Sequence, residues 1–202
     1  MSPEEEVRAP IPRELLEELR RRLERARGTD LPEPTAMTLA TAGADGRPHS
    51  RTVLLKGVDE RGFVFYTNLK SRKGRHLQEN PWASLTFYWP PLAEQVQVAG
   101  RAERVTDEEA DAYWATRPRK SQLGAWASHQ SETLERRRDL YRRFAETMAK
   151  HLGKPIPRPP HWSGFRVVPD RIELWRNRPR RLHERKVWEL KDGVWTTRML
   201  NP

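Results

Sequence analysis

The sequence contains no cysteine, which excludes disulfide bonds and thiolate metal sites. It also contains no uncharged run near the roughly 18 residues that a membrane-spanning helix needs. Its first residues, Met-Ser-Pro-Glu-Glu-Glu, do not have the basic-then-apolar pattern of a secretory signal. We therefore expect a cytoplasmic protein that makes no contact with a membrane.

Several catalytic signatures are also missing from the sequence. It has no P-loop, no G-x-G-x-x-G, no H-E-x-x-H and no G-x-S-x-G. The six histidines are scattered, and none has metal-ligand spacing with another histidine or a carboxylate. No metal site is therefore predicted.

The composition indicates one folded domain spanning residues 1–202. Charged residues make up 33% of the chain, but eight Trp, five Phe and four Tyr supply core anchors that disordered chains lack. The net charge of +10 fits a solvated basic surface, nucleic-acid binding or binding of small anions. Because the basic residues occur in short motifs beside aromatics, a nucleic-acid function is the less favoured interpretation.

The hydrophobic pattern predicts a mainly β protein with flanking helices. Residues Arg13–Arg27 form an amphipathic helix that we expect to pack on the domain. Further helices are predicted after Ser71, after the capping box at Thr106 and from about Glu132 to Leu152, the last with an apolar stripe. The stripe consists of Leu134, Tyr141, Phe144, Met148 and Leu152.

Alternating residues predict the strands, and Asp192-Gly193 predicts a tight hairpin between the last two. The predicted strands are Ala36–Ala42, Ser50–Lys56, Gly62–Thr67, Ala83–Trp89, Gln95–Val105, Gly164–Val168, Arg171–Trp175, Val187–Lys191 and Val194–Arg198. Turns or short helices join most of them, and the Pro-rich stretch 155–160 is predicted to be a stiff connector. This organisation favours a closed antiparallel barrel with helices packed around it.

The short helix after Ser71 carries the first functional signal. Arg72 and Lys73 occupy its first turn, which is the unfavourable end of the helix dipole for a cation. An anion bound at the helix N-terminus would explain them, and Arg51 on a preceding strand could reach the same anion. A solvent-exposed basic turn explains the motif equally well.

The second signal is a group of three side chains within nine residues that can donate hydrogen bonds to a phosphate. Tyr113, Arg117 and Ser121 can each donate hydrogen bonds to a phosphate across a helix end and a turn. The more common explanation is a basic helix C-terminus that complements its own dipole.

The third signal is a basic segment that follows Trp175. Arg181, His183 and Arg185 alternate, so in an extended chain they project to one face. Such a strand can serve catalysis or ligand binding, and its charge also fits a nucleic-acid patch.

Taken together, these segments resemble the pyridoxamine 5′-phosphate oxidase family. Any one of the matching stretches is weak, but their order along the chain is specific. They are Arg51–Lys56, Phe65–Asn68, Ser71–Gly74, Phe87–Trp89, Gln95-Val96, Arg117–Arg119, Ser121–Ser128, Gln130-Ser131, Glu173–Trp175 and Arg181–Arg185.

The resemblance implies an FMN-binding antiparallel split β-barrel, and a homodimer with FMN at the subunit interface. FMN would be contacted by Arg51, Lys56, Tyr66, Thr67, Arg72, Lys73, Gln95, Gln130, Ser131, Trp175 and Arg185. The substrate phosphate would be held by Lys56, Tyr113, Arg117 and Ser121. Arg181 and His183 would bind the substrate ring and act in catalysis.

The implied reaction oxidises pyridoxamine or pyridoxine 5′-phosphate to pyridoxal 5′-phosphate, with dioxygen as acceptor and hydrogen peroxide as product. Ammonia leaves from the amine substrate. The sequence departs from the family pattern at Glu33, usually Asp, and at Glu94, where Arg commonly precedes Gln95. Two alternatives stay open: a related split-barrel flavin oxidase acting on another ring or amine, and a binding module without enzymatic activity.

Overall fold

One curled antiparallel sheet forms the centre of the computed structural model, which describes residues 9–202. Its nine strands are β1 (Ala36–Ala42), β2 (Pro48–Leu54), β3 (Gly57–Asp59), β4 (Gly62–Asn68), β5 (Trp82–Trp89), β6 (Glu94–Arg104), β7 (Trp162–Arg176), β8 (Glu184–Lys191) and β9 (Val194–Met199). Five helices flank the sheet: α1 (Arg13–Arg27), α2 (Arg72–Glu79), α3 (Asp107–Thr116), α4 (Arg119–Ala127) and α5 (Arg137–Lys150).

The strand order is β2-β1-β5-β6-β7-β4-β3, and β8 and β9 extend the sheet from β7. The two ends of the main path, β2 and β3, are not paired with each other in the described part of the chain. The antiparallel split barrel is therefore confirmed, whereas full closure of the barrel was a wrong expectation. Leu55 and Lys56 join β2 to β3, which leads directly into its hairpin with β4.

Strand β7 is a single 15-residue strand where the sequence pattern predicted two. The gap between the two predicted strands contains Pro169, which cannot donate a hydrogen bond to a ladder. The sheet accommodates it at a register shift between Ala99 and Gly100 of β6. A Cβ at Gly100 would lie 2.1 Å from the carbonyl oxygen of Val168, so only glycine allows the strands to approach this closely.

Helix α1 covers one face of the sheet with the predicted apolar side. Leu15, Leu19 and Leu23 are at most 8% exposed and join a core that includes Leu39 and Leu85. Burying a leucine side chain contributes about 1.5–3 kcal/mol. This packing, rather than helix propensity, holds α1 in place.

Helix α5 differs from the prediction in both length and packing. It begins at Arg137 rather than near Glu132, and it has no buried residue. Of its predicted apolar stripe, Phe144 packs against the cluster around Trp114 and Trp162. The other members, Leu134, Tyr141, Met148 and Leu152, are exposed. The apolar pattern alone did not distinguish a buried face from an exposed one.

Helix α4 was not predicted, because Pro118 and the basic residues after it indicated a turn. Pro118 instead precedes the first helical residue, a position where its missing N–H costs nothing. Within the described residues, no helix is long and apolar enough to cross a membrane.

Glu94 fastens α1 to the sheet through charge. Its side chain is fully buried, and its carboxylate oxygens lie 2.9 Å from Arg22, 3.1 Å from Arg25 and 3.5 Å from Arg176. In the family that the sequence resembles, an arginine commonly precedes Gln95. This chain has a carboxylate there instead, and three arginines surround it.

We predict that Glu94→Gln lowers the free energy of unfolding by about 2 kcal/mol, because the arginines lose a buried counter-charge. Urea denaturation measures the change. Glu24→Gln is the control, since its ion pair with Arg27 is largely exposed and contributes little. Equal small losses in both variants would contradict the structural importance of Glu94.

Candidate functional site

A cavity of about 460 Å³ lies between β2 and β4 on the sheet side and α3 and α4 on the helix side. Eight of the sequence-predicted site residues line it: Lys56, Tyr66, Thr67, Lys73, Tyr113, Arg117, Ser121 and Gln130. A larger cavity of about 850 Å³ behind α2 is lined by Lys70, Arg75 and His161 among others and contains none of the predicted residues.

One end of the cavity is built on the first turn of α2. Ser71 caps this helix: its Oγ accepts from the backbone N–H of Gly74 at 3.3 Å and from Nζ of Lys73 at 3.2 Å. Nζ of Lys73 also donates to Oε1 of Gln130 at 3.0 Å, and Thr67 donates to the same oxygen at 3.4 Å. Nζ of Lys73 therefore lies at the N-terminus of α2, next to the side chain of Gln130.

Arg51 and Arg72 complete this end from outside the cavity lining. Arg51 donates to Oγ1 of Thr41 at 2.7 Å and to the carbonyl oxygen of Leu39 at 3.2 Å. The backbone N–H of Arg72 donates to Oγ of Ser131 at 3.2 Å, which ties the Gln130-Ser131 loop to α2.

The electrostatics of this end are those of a site for an anion. Burial, assisted by the charge of Arg51, lowers the pKa of Lys73 to about 8. Burial and the charge of Arg72 also lower the pKa of Arg51. The protein thus holds several positive charges close together, although each charge disfavours the protonated form of its neighbour.

The other end of the cavity is a stack of aromatic rings. The rings of Tyr66 and Tyr113 are 4.1 Å apart and nearly parallel, and Trp162 stacks on Tyr66 at 5.2 Å. The guanidinium of Arg117 lies 4.8 Å from the Trp162 ring centre, and its Nη2 donates to the carbonyl oxygen of Ser121 at 3.2 Å. Burial lowers the pKa of Arg117.

Trp162 is a site residue that the sequence reasoning missed. It is buried at the start of β7, directly after the Pro-rich connector, and it holds both Tyr66 and Arg117 in place. A tryptophan that follows a stiff connector was the available signal, but only the fold shows which side chains it supports.

None of the ion pairs among the described residues includes the five cations of this site, Arg51, Lys56, Arg72, Lys73 and Arg117. Elsewhere in the molecule, buried arginines have carboxylate partners. Arg166 contacts Asp59 at 2.6 Å and Glu109 at 2.9 Å. The concentration of unneutralised positive charge around one cavity therefore favours an anionic ligand.

The remaining predicted residues lie apart from the cavity, near the far end of β7. Gln95, Trp175 and Arg185 are cross-strand neighbours on β6, β7 and β8. Roughly 40 Å of strand separates Trp175 from Trp162 at a rise of about 3.3 Å per residue. One chain therefore presents two separate groups of predicted ligand contacts.

The prediction that Arg181, His183 and Arg185 alternate along one strand is wrong. Pro179–Arg181 form a 3₁₀ turn, and β8 begins only at Glu184. Arg180 and Arg181 have φ values of 59° and 62°, which cost energy for residues with a side chain. Pro179 and the charges around it gave no measure of this turn's geometry in the sequence.

His183 is nevertheless brought next to Trp175. Their ring centres are 4.9 Å apart, and the backbone N–H of Arg178 donates to Nδ1 of His183 at 3.3 Å. This contact leaves Nε2 as the ring nitrogen available to a ligand. Arg181 is exposed in the adjacent turn. Among residues 9–202, no group of His, Asp and Glu side chains is arranged to hold a metal ion.

Comparison with known families gives two matches that together span most of the chain. Residues 23–151 match the family described as pyridoxamine 5′-phosphate oxidase. Residues 162–202 match the pyridoxine 5′-phosphate oxidase C-terminal dimerisation region.

Two bacterial relatives, both named pyridoxine/pyridoxamine 5′-phosphate oxidase, are similar over nearly their whole length. The Myxococcus xanthus protein is 56% identical over 96% of this chain and 95% of its own. The Alkalilimnicola ehrlichii protein is 58% identical over 88% of this chain and 91% of its own.

Two solved structures have the same fold. PhzG from Burkholderia lata, in complex with tetrahydrophenazine-1-carboxylic acid, superposes with a TM-score of 0.89 at 38% identity and covers 95% of this chain and 94% of its own. An FMN-binding protein from Nostoc punctiforme has a TM-score of 0.75 at 21% identity, covers 92% of this chain and 96% of its own, and supports the fold alone.

We predict that Lys73→Met raises the free energy of unfolding at pH 7 in buffer without phosphate or sulfate. Below pH 8 the amine is charged in both the folded and the unfolded chain, so the cost of burying it is fully present. As the pH rises from 8 to 10.5 the folded protein binds fewer protons than the unfolded one, and the advantage of methionine disappears.

Urea denaturation at pH 7 and at pH 10.5 measures this difference. Lys70→Met is the matched control, because Lys70 is exposed and close by in the sequence. A Lys73→Met protein that is less stable than wild type at pH 7 would show that the buried ammonium is favourable without a ligand.

Proposed function

Because this chain belongs to the pyridoxamine 5′-phosphate oxidase family, we propose that it oxidises pyridoxamine and pyridoxine 5′-phosphate to pyridoxal 5′-phosphate, with FMN as cofactor and dioxygen as acceptor. The observation that carries the proposal is the 460 Å³ cavity, with unpaired cations in two places on its wall. Two phosphate esters need two such places.

The residues at the N-terminus of α2 fit the phosphate of FMN. Arg51, Arg72 and Lys73 supply positive charge there, and the positive end of the helix dipole adds to it. A Cβ at Gly74 would lie 2.3 Å from the carbonyl oxygen of Leu69, so a larger residue would displace this turn. Thr67, Gln130 and Ser131 add polar contacts beside the phosphate.

The residues at the opposite end fit the phosphate of the substrate. Tyr113 comes from α3, Arg117 from the link between α3 and α4, and Ser121 from α4. Lys56 lines the same cavity from the β2–β3 connection. Arg117 is already oriented by Trp162 and Ser121, so little rotamer freedom is lost when it binds an anion.

The second group of predicted contacts, Gln95, Trp175 and Arg185, would complete the FMN site from another subunit. Roughly 40 Å of extended strand, at about 3.3 Å per residue, separates this group from the cavity end of β7 in the same chain. A homodimer with two equivalent sites at its interface satisfies both groups. The match of residues 162–202 to a dimerisation region supports this arrangement.

Bound FMN would supply the redox chemistry, a two-electron oxidation of the substrate at C4′ with dioxygen as the final acceptor and hydrogen peroxide as product. The protein would bind and orient the cofactor and the substrate and exclude water from them. Tyr66 would lie beside FMN in the aromatic stack. In the second group, next to Trp175, Arg181 would hold the substrate ring and Nε2 of His183 would orient the substrate or carry a proton.

A second candidate is an oxidase acting on another ring substrate, because the PhzG structure superposes closely on this chain. The set formed by Lys56, Tyr113, Arg117 and Ser121 favours the vitamer phosphate. A substrate without a phosphate has no need of these four donors.

We predict that the purified protein binds FMN, shows a yellow flavin absorption spectrum and releases hydrogen peroxide with pyridoxine 5′-phosphate. Peroxide is measured by a coupled peroxidase assay, with unphosphorylated pyridoxine as the control substrate. A colourless protein that takes up no added FMN would contradict both flavoenzyme candidates. FMN uptake with equal turnover of the two substrates would favour the second candidate.

The two phosphate sites also predict separable effects of two charge removals. We expect Arg117→Met to raise KM for pyridoxine 5′-phosphate about 10- to 100-fold, since a charge-assisted hydrogen bond contributes about 1.5–3 kcal/mol. FMN affinity should stay within about twofold of wild type by the same energetic reasoning. Arg51→Met should instead weaken FMN binding, as measured by FMN fluorescence quenching, and leave KM for pyridoxine 5′-phosphate close to wild type. Equal loss of both affinities in each variant would mean that the sites are not separate.

A further inference from the structure

Glu173 is a buried carboxylate on β7 that the proposed chemistry does not use. It is 3% exposed, and both of its oxygens are occupied. Oε1 accepts from Nε of Arg185 at 2.7 Å, and Oε2 accepts from Nη2 of Arg171 at 2.6 Å. A buried charge with two such partners fixes the geometry of both.

The position of Glu173 on the strand places it beside the second group of FMN contacts. Trp175 is two residues further along β7 and therefore lies on the same face of the sheet. Arg185 is the cross-strand partner of Trp175, and Gln95 pairs with Trp175 from the other side. The opposite face of β7 carries Ile172 and Leu174, which are part of the core.

Arg185 is held on two of its three nitrogens. Its Nε donates to Glu173, and its Nη1 donates to the carbonyl oxygen of Asn201 at 3.1 Å. These contacts leave Nη2 with both of its hydrogens available. The guanidinium is therefore oriented before any ligand arrives, and its free edge has a defined direction.

Glu173 remains ionised in this position. Burial acts to raise the pKa of its carboxyl, but the hydrogen bonds and charges of Arg185 and Arg171 outweigh burial and lower it overall. The carboxylate therefore neutralises part of the positive charge in this region while it orients Arg185.

We infer that Glu173 is a positioning residue for the cofactor: it holds the guanidinium of Arg185 in the orientation that contacts FMN bound at the subunit interface. The inference rests on the proposed function, because Arg185 contacts FMN only if the protein binds FMN. It predicts that Glu173 affects FMN affinity through Arg185 and not independently.

A double-mutant cycle on the full-length protein tests this dependence. FMN dissociation constants are measured by fluorescence quenching for wild type, Glu173→Gln, Arg185→Gln and the double variant. We expect Glu173→Gln to weaken FMN binding roughly tenfold, as for loss of one hydrogen bond to a charged group. In the Arg185→Gln background the same change should cost less than about twofold, because the two residues act as one unit.

Glu189→Gln is the matched control. Glu189 lies on the neighbouring strand and contacts Arg171 and Arg198, but it makes no contact with Arg185. Its FMN affinity should equal that of wild type. Glu173→Asp keeps the charge but shortens the side chain, so it should weaken FMN binding while thermal unfolding of the FMN-free protein stays near wild type. This variant provides the test if Glu173→Gln does not fold.

Provided that the wild-type protein binds FMN, any of three results would overturn the inference. These are additive losses of FMN affinity in the cycle, unchanged FMN affinity in Glu173→Gln, or an equal loss of FMN affinity in Glu189→Gln. A folded Glu173→Asp protein with wild-type affinity would overturn it as well. If the wild-type protein takes up no FMN, the proposed function itself fails and the inference fails with it.

Discussion

The long antiparallel pairing of β6 with β7 is the constraint on which the rest of the structure depends. It runs from Glu94 opposite Arg176 to Arg104 opposite Phe165 and passes a bulge at Gly100. One end of the ladder fastens α1 through Glu94 and presents Gln95 and Trp175. The other end of β7 supports the cavity through Trp162. A slip of one residue would reverse the face of every side chain on both strands, so the core and the site share a single register.

Charge is distributed in two different ways in this molecule. Where a cation has a structural task, a carboxylate accompanies it, as Glu94 does for Arg22 and Asp59 does for Arg166. Around the cavity the cations Arg51, Lys73 and Arg117 have no carboxylate partner in the described chain, and burial disfavours their charged forms. An anion bound among them would offset the free energy that burial of these charges costs.

Much of the candidate site was predictable because its motifs are local. The cap at Ser71, the basic first turn of α2 and the capping box at Thr106 depend on contacts within four residues, and the structure contains all three elements. The predictions failed where a distant contact decides the outcome. Separate strands were predicted on either side of Pro169, but a glycine on another strand accommodates the proline. The apolar stripe of α5 was expected to be buried, but only Phe144 reaches a neighbouring cluster.

The sequence by itself determined most of the helices and strands, the candidate residues for binding phosphate and the resemblance to a family, because periodicity, caps and ordered motifs are properties of neighbouring residues. Only the tertiary structure decided that the barrel stays split, that Trp162 supports Arg117, and that Arg181 lies in a turn rather than on a strand. It also separated the predicted contacts into two groups at opposite ends of β7. The physical reason is that such relations depend on which residues meet across long loops and paired strands, and no local pattern encodes that distance.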